Sequence, residues 1–402
     1  MKAVLFALCL GLALPAAQAT DRWRFDSRIE VTAEPVAGVF THLEGAGRKH
    51  IAVSKQSIAV VWEDDRSRDP QIYVAQKSFG QQRFSTALQV SDGNEAYEPA
   101  IAALSDAGFV LAWEQDGAVF ARLLSAGVLA PALKLSHEGA SHATAAAFGE
   151  RIFVAWREQR DRDWFLQLAV LRQTDTDDLE IESSRSIESA GLKTPVLYPA
   201  LAVNRAGLSI AWEDRRAGHT RLLYSHADRA GKNFSEPRFL NEFFSNRNQY
   251  DQGSGVTRVA LAAFADDELL AAWMDKRRGG LGYGIFTALG ADGDFGPNEK
   301  AHGEQGDKQP HYNPATAGNP AGDFVVAWDD FRRGDSDIWI SSYDADDEWS
   351  LDHSPRVASG AGEQSHPSIA LDTAGNLHLL WMERSELDAP GRLWYSRGLR
   401  NK

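Results

Sequence analysis

A seven-bladed β-propeller of four-stranded blades is the fold class this sequence predicts, on three observations. Seven tryptophans, Trp62, Trp113, Trp156, Trp212, Trp273, Trp328 and Trp381, recur at intervals of 43 to 61 residues. Each ends a short apolar run and opens a polar turn, as Phe324-Val-Val-Ala-Trp328 does before Asp330 and Arg332. The last repeat runs out of chain one strand short, while a spare strand-like run, residues 28–32, precedes the first. An N-terminal strand that completes the last blade closes the ring and removes two free sheet edges. A six-bladed ring is the alternative, and it would require one repeat to be an insertion.

Alternation of apolar and polar residues, broken by turn residues, divides each repeat into strands A to D. In the first repeat these are 51–53, 58–62, 71–75 and 86–90. In the second they are 99–102, 109–113, 118–122 and 133–135. The third has 144–146, 152–156, 164–169 and 179–181. The fourth has 199–202, 208–212 and 221–224, with a weak fourth run at 237–240. The fifth has 259–262, 269–273 and 283–287, and its D strand is poorly marked. The sixth carries 324–328, 338–342 and a D strand near 354–357. The seventh has 367–370, 377–381 and 392–395. The expected blades span 50–91, 99–136, 142–188, 198–241, 258–299, 313–358 and 366–402 plus 28–32, all within one domain, 20–402.

Residues 1–19 read as a secretory signal peptide: Lys2, an apolar core from Ala3 to Leu14, and a small-x-small site at Ala17 and Ala19. The apolar run is too short to span a bilayer, so no membrane anchor is expected. The expected location is the periplasm or the medium of a bacterium. Cys9, the only cysteine, lies inside this leader, so the mature chain has neither disulfide nor thiol chemistry. A formal net charge of −14 argues against a nucleic-acid partner, since phosphate recognition needs a basic face.

Two sets of residues compete for function. The first is the repeated Trp-x-Asp-x-Arg signature at the end of strand B. Its acid position holds Asp64, Gln115, Glu158, Asp214, Asp275, Asp330 and Glu383, and its basic position Arg66, Gly117, Arg160, Arg216, Arg277, Arg332 and Ser385. Such a ring either grips an anionic ligand or caps each turn and pairs locally. A feature written in most blades has to serve something present in most blades, which favours the cap.

The second set is unrepeated. Aligning on the tryptophans, the residue before strand A is Lys49 or His50, then Glu98, Ser141 beside His142, Tyr198, Arg258, Asn313 beside Tyr312, and His366. These positions crowd around the channel mouth, the default site in this architecture. Their chemistry differs from blade to blade, as a specific pocket requires. Glu98, His142, Tyr198, Arg258 and His366 are the catalytic candidates. His50, Tyr97, Arg247, Asn248, Tyr250, His311, Tyr312 and Asn313 are the ligand-binding candidates. Arg247, Asn248 and Tyr250 belong to the longest insertion, 241–251, and His302, His311 and Tyr312 to a second rich loop. His137 and His142 lack a carboxylate or thiolate at ligand spacing, so no zinc site is expected. No cofactor is expected, and a structural calcium ion is left open. No phosphate-binding loop, dinucleotide fingerprint, nucleophile elbow or zinc-protease motif occurs.

The repeats resemble those of the sialidase-like propellers with Asp-box (BNR-type) repeats, over essentially the whole mature chain. The carriers are Trp212-Glu-Asp-Arg-Arg216, Trp328-Asp-Asp-Phe-Arg332 and the turn Ser342-Tyr-Asp-Ala-Asp-Asp-Glu-Trp349, which keeps the Ser, Asp and Trp of the Asp-box and lacks its Gly and Thr. The resemblance implies fold before activity. Sialidases of this group have six blades, an arginine triad, a Tyr/Glu nucleophile pair and an Asp acid/base. The chain offers Tyr97 beside Glu98, but no motif assigns these roles, and seven repeats count against them. Seven-bladed relatives are polysaccharide lyases that use His and Tyr as base and acid, with an Arg neutralising the uronate. His142, Tyr198, Arg258, Tyr312 and His366 match those residue types. The expectation is an exported propeller that binds glycans or other extracellular ligands at its mouth. The alternatives are a carbohydrate-active enzyme, either lyase or glycosidase, and a protein-interaction scaffold with a protein partner.

Overall fold

The computed structural model describes residues 22–32, 39–43, 45, 47–104, 108–188, 191–242, 255–277, 282–291, 293–303, 308–344, 348–349, 356–386 and 389–401. They form seven antiparallel sheets, one for each tryptophan repeat, and contain no helix. The fold is therefore the seven-bladed propeller, not the six-bladed alternative. Each blade is a meander whose B strand carries the repeat tryptophan. Those B strands are Ser57–Asp64, Phe109–Gln115, Arg151–Arg160, Leu208–Asp214, Glu268–Asp275, Phe324–Arg333 and Leu377–Arg384.

The B strands are buried on both faces, so they read as continuous apolar runs rather than alternating ones. All seven repeat tryptophans are buried, and they pack within the hydrophobic clusters. Those clusters straddle neighbouring blades. Trp156, for instance, packs with Val110 and Ala112 of the preceding blade.

Closure is by the N-terminus. The last blade, with strands Glu363–Leu371, Leu377–Arg384 and Arg392–Arg400, is completed by Trp23–Phe25 and Ile29–Glu30, both antiparallel to Arg392–Arg400. The closing segment begins earlier than the sequence run at 28–32. Trp23 and Phe25 enter the core beside Ile338 and Trp381, and the Trp23 indole donates to the Gly375 carbonyl at 2.8 Å. Removing the chain up to residue 32 gives up two buried aromatics, worth about 3–6 kcal/mol together, and bares the Arg392–Arg400 edge. The truncated protein is expected to melt earlier and to aggregate, as differential scanning fluorimetry and light scattering would register. Restored stability in the truncated form would refute this closure.

The Trp-x-Asp-x-Arg signature is a local turn lock. Trp62 donates its indole N–H to Asp64 at 2.8 Å, Trp273 to Asp275 at 3.2 Å and Trp328 to Asp330 at 3.0 Å. The same carboxylates accept from the backbone N–H and guanidinium of Arg66, Arg277 and Arg332 two residues on. Each guanidinium then lies over a strand C ring: Arg66 over Tyr73, Arg277 over Phe286, Arg332 over Trp339 at 3.9 Å. With both partners committed within the turn, this ring of acids and arginines serves the scaffold.

Candidate functional site: the channel mouth

Six strands A share one irregularity. Their pairing with strand B slips between Tyr97 and Ala100, Ser141 and Thr144, Leu197 and Ala200, Thr257 and Ala260, Tyr312 and Ala315, and Ser365 and Ser368. At each slip one non-glycine residue takes a left-handed conformation: Glu98, His142, Tyr198, Arg258, Asn313 and His366, with φ between 48° and 61°. Such a residue costs of order 1 kcal/mol or more, and a bulge re-aims its side chain. Six predicted site residues thus occupy one equivalent position around the ring.

The cost is offset by a second ring, formed by the residue directly after the repeat tryptophan. Glu63 accepts the Glu98 N–H at 3.1 Å, Glu114 accepts that of His142, Glu213 that of Arg258 at 2.8 Å, and Asp329 that of His366 at 2.9 Å. Each carboxylate thereby fixes the bulge of the next blade. The third blade breaks the pattern with Arg157, which donates to Ser141 Oγ at 2.7 Å. There His142 Nδ1 accepts the Tyr198 N–H at 3.0 Å. These acids sit one residue before the position that the repeat motif draws attention to, and sequence reasoning missed them. The signal was available: the position reads Glu63, Glu114, Arg157, Glu213, Met274, Asp329 and Met382, unrepeated like the mouth set.

The first blade departs further. Its strand A is split into Thr41–His42 and Ile51–Val53. His42 pairs with Glu63, and the Val61 N–H bonds the His50 carbonyl at 2.9 Å, so the segment between His42 and His50 spans a gap that other blades cross with a short bulge. The described part of this segment plugs the channel. A side chain at Gly45 would strike Asn313 of the sixth blade, and one at Gly47, whose φ is +71°, the Val259 carbonyl of the fifth. Arg48 reaches the other way. Its Nε donates to the Ala143 carbonyl at 3.0 Å, and its Nη2 pairs with Glu98 and lies 3.6 Å from Glu114. Arg48, which the sequence reading passed over, is buried. His50, taken with Lys49 as the counterpart of the mouth residues, is 2% exposed and past the gap, its N–H bonded to Ser368. The position equivalent to the mouth residues, 14 residues before the repeat tryptophan as in the third and fourth blades, is Arg48, and His50 lies two residues beyond it, already paired with strand B.

Three catalytic candidates come together. The His142 and Tyr198 rings are stacked at 4.1 Å and 9°, and the Arg258 guanidinium lies 4.0 Å over the opposite partner, Tyr198. Glu98 joins the neighbouring Arg48–Glu114 group. His366 lies across the ring, 6.1 Å from His42 between centroids. Asn313 donates to Asp329 at 2.6 Å. Tyr97 turns from Glu98 and donates to Glu95 at 2.9 Å. Burial and then the Glu95 carboxylate raise its phenol to about 12. His311 is fully buried against Asp330, 3.1 Å away, and against His302. Tyr312 is half-buried between Tyr283 and Phe331. Arg247, Asn248 and Tyr250 lie outside the described residues, as do residues 1–21 and the side chains of Asp344 and Trp349. Among the described residues no group of three or more His, Cys, Asp or Glu converges on a metal site.

Burial, then the adjacent Glu98 charge, raises the Glu114 carboxyl to about 8, against the pull of Arg48. Burial likewise raises Glu213 and, further, Asp329, and lowers Arg157. At neutral pH the Glu98–Glu114 pair therefore holds a proton in the mouth. A carboxyl raised on folding stabilises below its unfolded value near 4.5, and that contribution is lost as pH climbs through 8. Glu114→Gln is expected to gain on wild type by on the order of 2 kcal/mol between pH 5 and pH 8, measured by denaturant unfolding at both. Parallel curves would contradict the shared proton.

No family model and no curated protein sequence matches the chain. Solved structures do match by fold. A phage phi92 endosialidase aligns over 94% of this chain and 69% of its own at 8% identity and a TM-score of 0.52. A PL25 ulvan lyase bound to -[GlcA(1-4)Rha3S]- aligns over 91% and 95% at 9% identity and a TM-score of 0.62. The polysaccharide lyase Uly1 aligns over 93% and 99% at 9% identity and a TM-score of 0.56. At these identities the likeness is one of fold.

Proposed function

We propose that this chain binds an acidic, uronate-containing polysaccharide at the channel mouth and cleaves it by β-elimination. The observation that carries this reading is the His142–Tyr198–Arg258 stack. Elimination needs a cation to neutralise the uronate carboxylate, a group to take the proton α to it, and a donor for the leaving oxygen. Arg258 supplies the cation. The Tyr198 N–H occupies His142 Nδ1, so the neutral imidazole keeps its proton on Nε2 and serves as a hydrogen-bond donor to the substrate; the Tyr198 O–H is the proton donor, and the imidazole of His366, at the equivalent position of the mouth, is the acceptor. As the α proton passes to His366, the electron pair of its bond forms a carbon–carbon double bond, the β carbon–oxygen bond breaks, and the leaving oxygen takes the phenolic proton of Tyr198, which is restored from the His366 imidazolium. A second proton-bearing group, Glu98 with Glu114, lies in the neighbouring blades.

The lyase neighbours, one with a glucuronate-containing oligosaccharide bound, support this substrate class. The hydrolytic alternative draws less support from these residues. Glu98 and Glu114 both face Arg48 Nη2, Glu114 at 3.6 Å, so a buried guanidinium engages the two carboxylates that a glycosidase would keep for the sugar. Export through residues 1–19 would place the enzyme where such polymers are found. The test is incubation with uronate polysaccharides, sialosides and neutral glycans. Products with an unsaturated end, from the uronate substrates alone, are expected. Products carrying added water, or none at all, would overturn the reading.

A further inference from the structure

Beyond the plug the channel continues toward the opposite face. Its walls are the second halves of the A strands, and at least one alanine from every blade lines it, Ala52, Ala102, Ala146 and Ala202 among them. Small side chains at the axis leave a cavity of about 340 Å³, within the range of small-molecule sites. Isoleucine, leucine and valine complete the wall, Asn204 and Thr373 stand at the A–B turns, and Phe148 borders the opening. Among the described lining residues one side chain is charged, that of Lys49. It lies toward the closed end, its backbone carbonyl fixed by the Ile101 N–H at 2.9 Å.

Nothing in the mouth reading uses this lysine. A scaffold would be served as well by a leucine at the end of an apolar pit. Burial lowers the Lys49 amine, and no carboxylate among the described residues acts on it to reverse that shift. The pit thus presents a half-buried cation, apolar walls and, among the described residues, no counter-charge, which is the complement of an amphiphile with one anionic end.

We propose that this pit is a second ligand site, on the face opposite the glycan mouth, for a small monocarboxylate whose apolar body fills the alanine-lined channel and whose carboxylate pairs with Lys49. The carboxylate supplies the missing counter-charge, and the walls take the hydrocarbon. Neutral and cationic ligands of the same shape lack the first term. Because the pit and the mouth are separate, the outcome of the glycan assays has no bearing on it.

The experiment is calorimetric titration of the whole chain at neutral pH with octanoate, octanol and octylammonium. Saturable octanoate binding at one site is expected, at least tenfold tighter than octanol, with octylammonium weaker still. Lys49→Met should weaken octanoate at least tenfold and bring it level with octanol. In wild type, octanoate should protect Lys49 from acylation by an amine reagent, read by peptide mass spectrometry, which keeps the test independent of how the variant folds. No saturable octanoate binding, undiminished binding by folded Lys49→Met, or unprotected Lys49 under saturating octanoate would each overturn the proposal.

Discussion

Tyr198→Phe is expected to lower the turnover of a uronate polysaccharide by about 10²–10⁴-fold, the range a positioned proton-transfer group contributes. The substitution removes one oxygen and keeps the ring that stacks on His142 at 4.1 Å and under Arg258 at 4.0 Å. Substrate affinity should therefore hold within a fewfold while the chemical step collapses, a kcat effect with little change in KM. Arg258→Lys offers the contrast. The charge is kept, but the planar guanidinium that lies flat on Tyr198 is lost, so KM should rise as well as kcat fall. Wild-type turnover by Tyr198→Phe would remove the hydroxyl from the mechanism. Loss of binding with unchanged kcat would make it a contact only.

Asp330→Ala is the single substitution with the largest expected change in stability. Its carboxylate is fully buried and accepts from the Trp328 indole at 3.0 Å and from the Arg332 backbone N–H and Nε, each at 2.9 Å, with His311 at 3.1 Å. Removing it strands these donors, and such losses cost about 3–5 kcal/mol. Burial alone would raise the Asp330 carboxyl, but the bonds from His311 and Arg332 outweigh burial and hold it below its ordinary value of 3.8. The stabilisation is thus complete above that value and lost as pH falls through the lower, folded one. Denaturant unfolding should show the full deficit at pH 7 and a smaller one below pH 3. A deficit under 1 kcal/mol at pH 7 would contradict the turn-lock account.

Repetition is why the fold was legible. A buried tryptophan with an acid two residues on solves the same problem in several blades, so it is written several times, and the missing last strand could be matched to the spare first one. The mouth residues were legible for the opposite reason. Glu98, His142, Tyr198, Arg258, Asn313 and His366 share a bulge but no chemistry, and only their lack of agreement marks them. Contacts made across blades were not legible. Glu63, Glu114, Glu213 and Asp329 each act on the backbone of the next blade, 28 to 45 residues away. Arg48 was readable and missed: it lies 14 residues before Trp62, as His142 and Tyr198 lie before Trp156 and Trp212, but the extra residues preceding it in the first blade masked the match. His311 looked like a loop histidine, yet its partner Asp330 lies on the adjacent strand and draws it into the wall.

The account's central claim is that the mouth performs elimination on an acidic glycan. Mass spectrometry of products from a uronate polysaccharide, run side by side for wild type and Tyr198→Phe, tests it most directly. Wild type should release fragments one water lighter than hydrolysis products, each with an unsaturated end, and Tyr198→Phe should release almost none. Fragments carrying the added water, or equal release by both proteins, would contradict it.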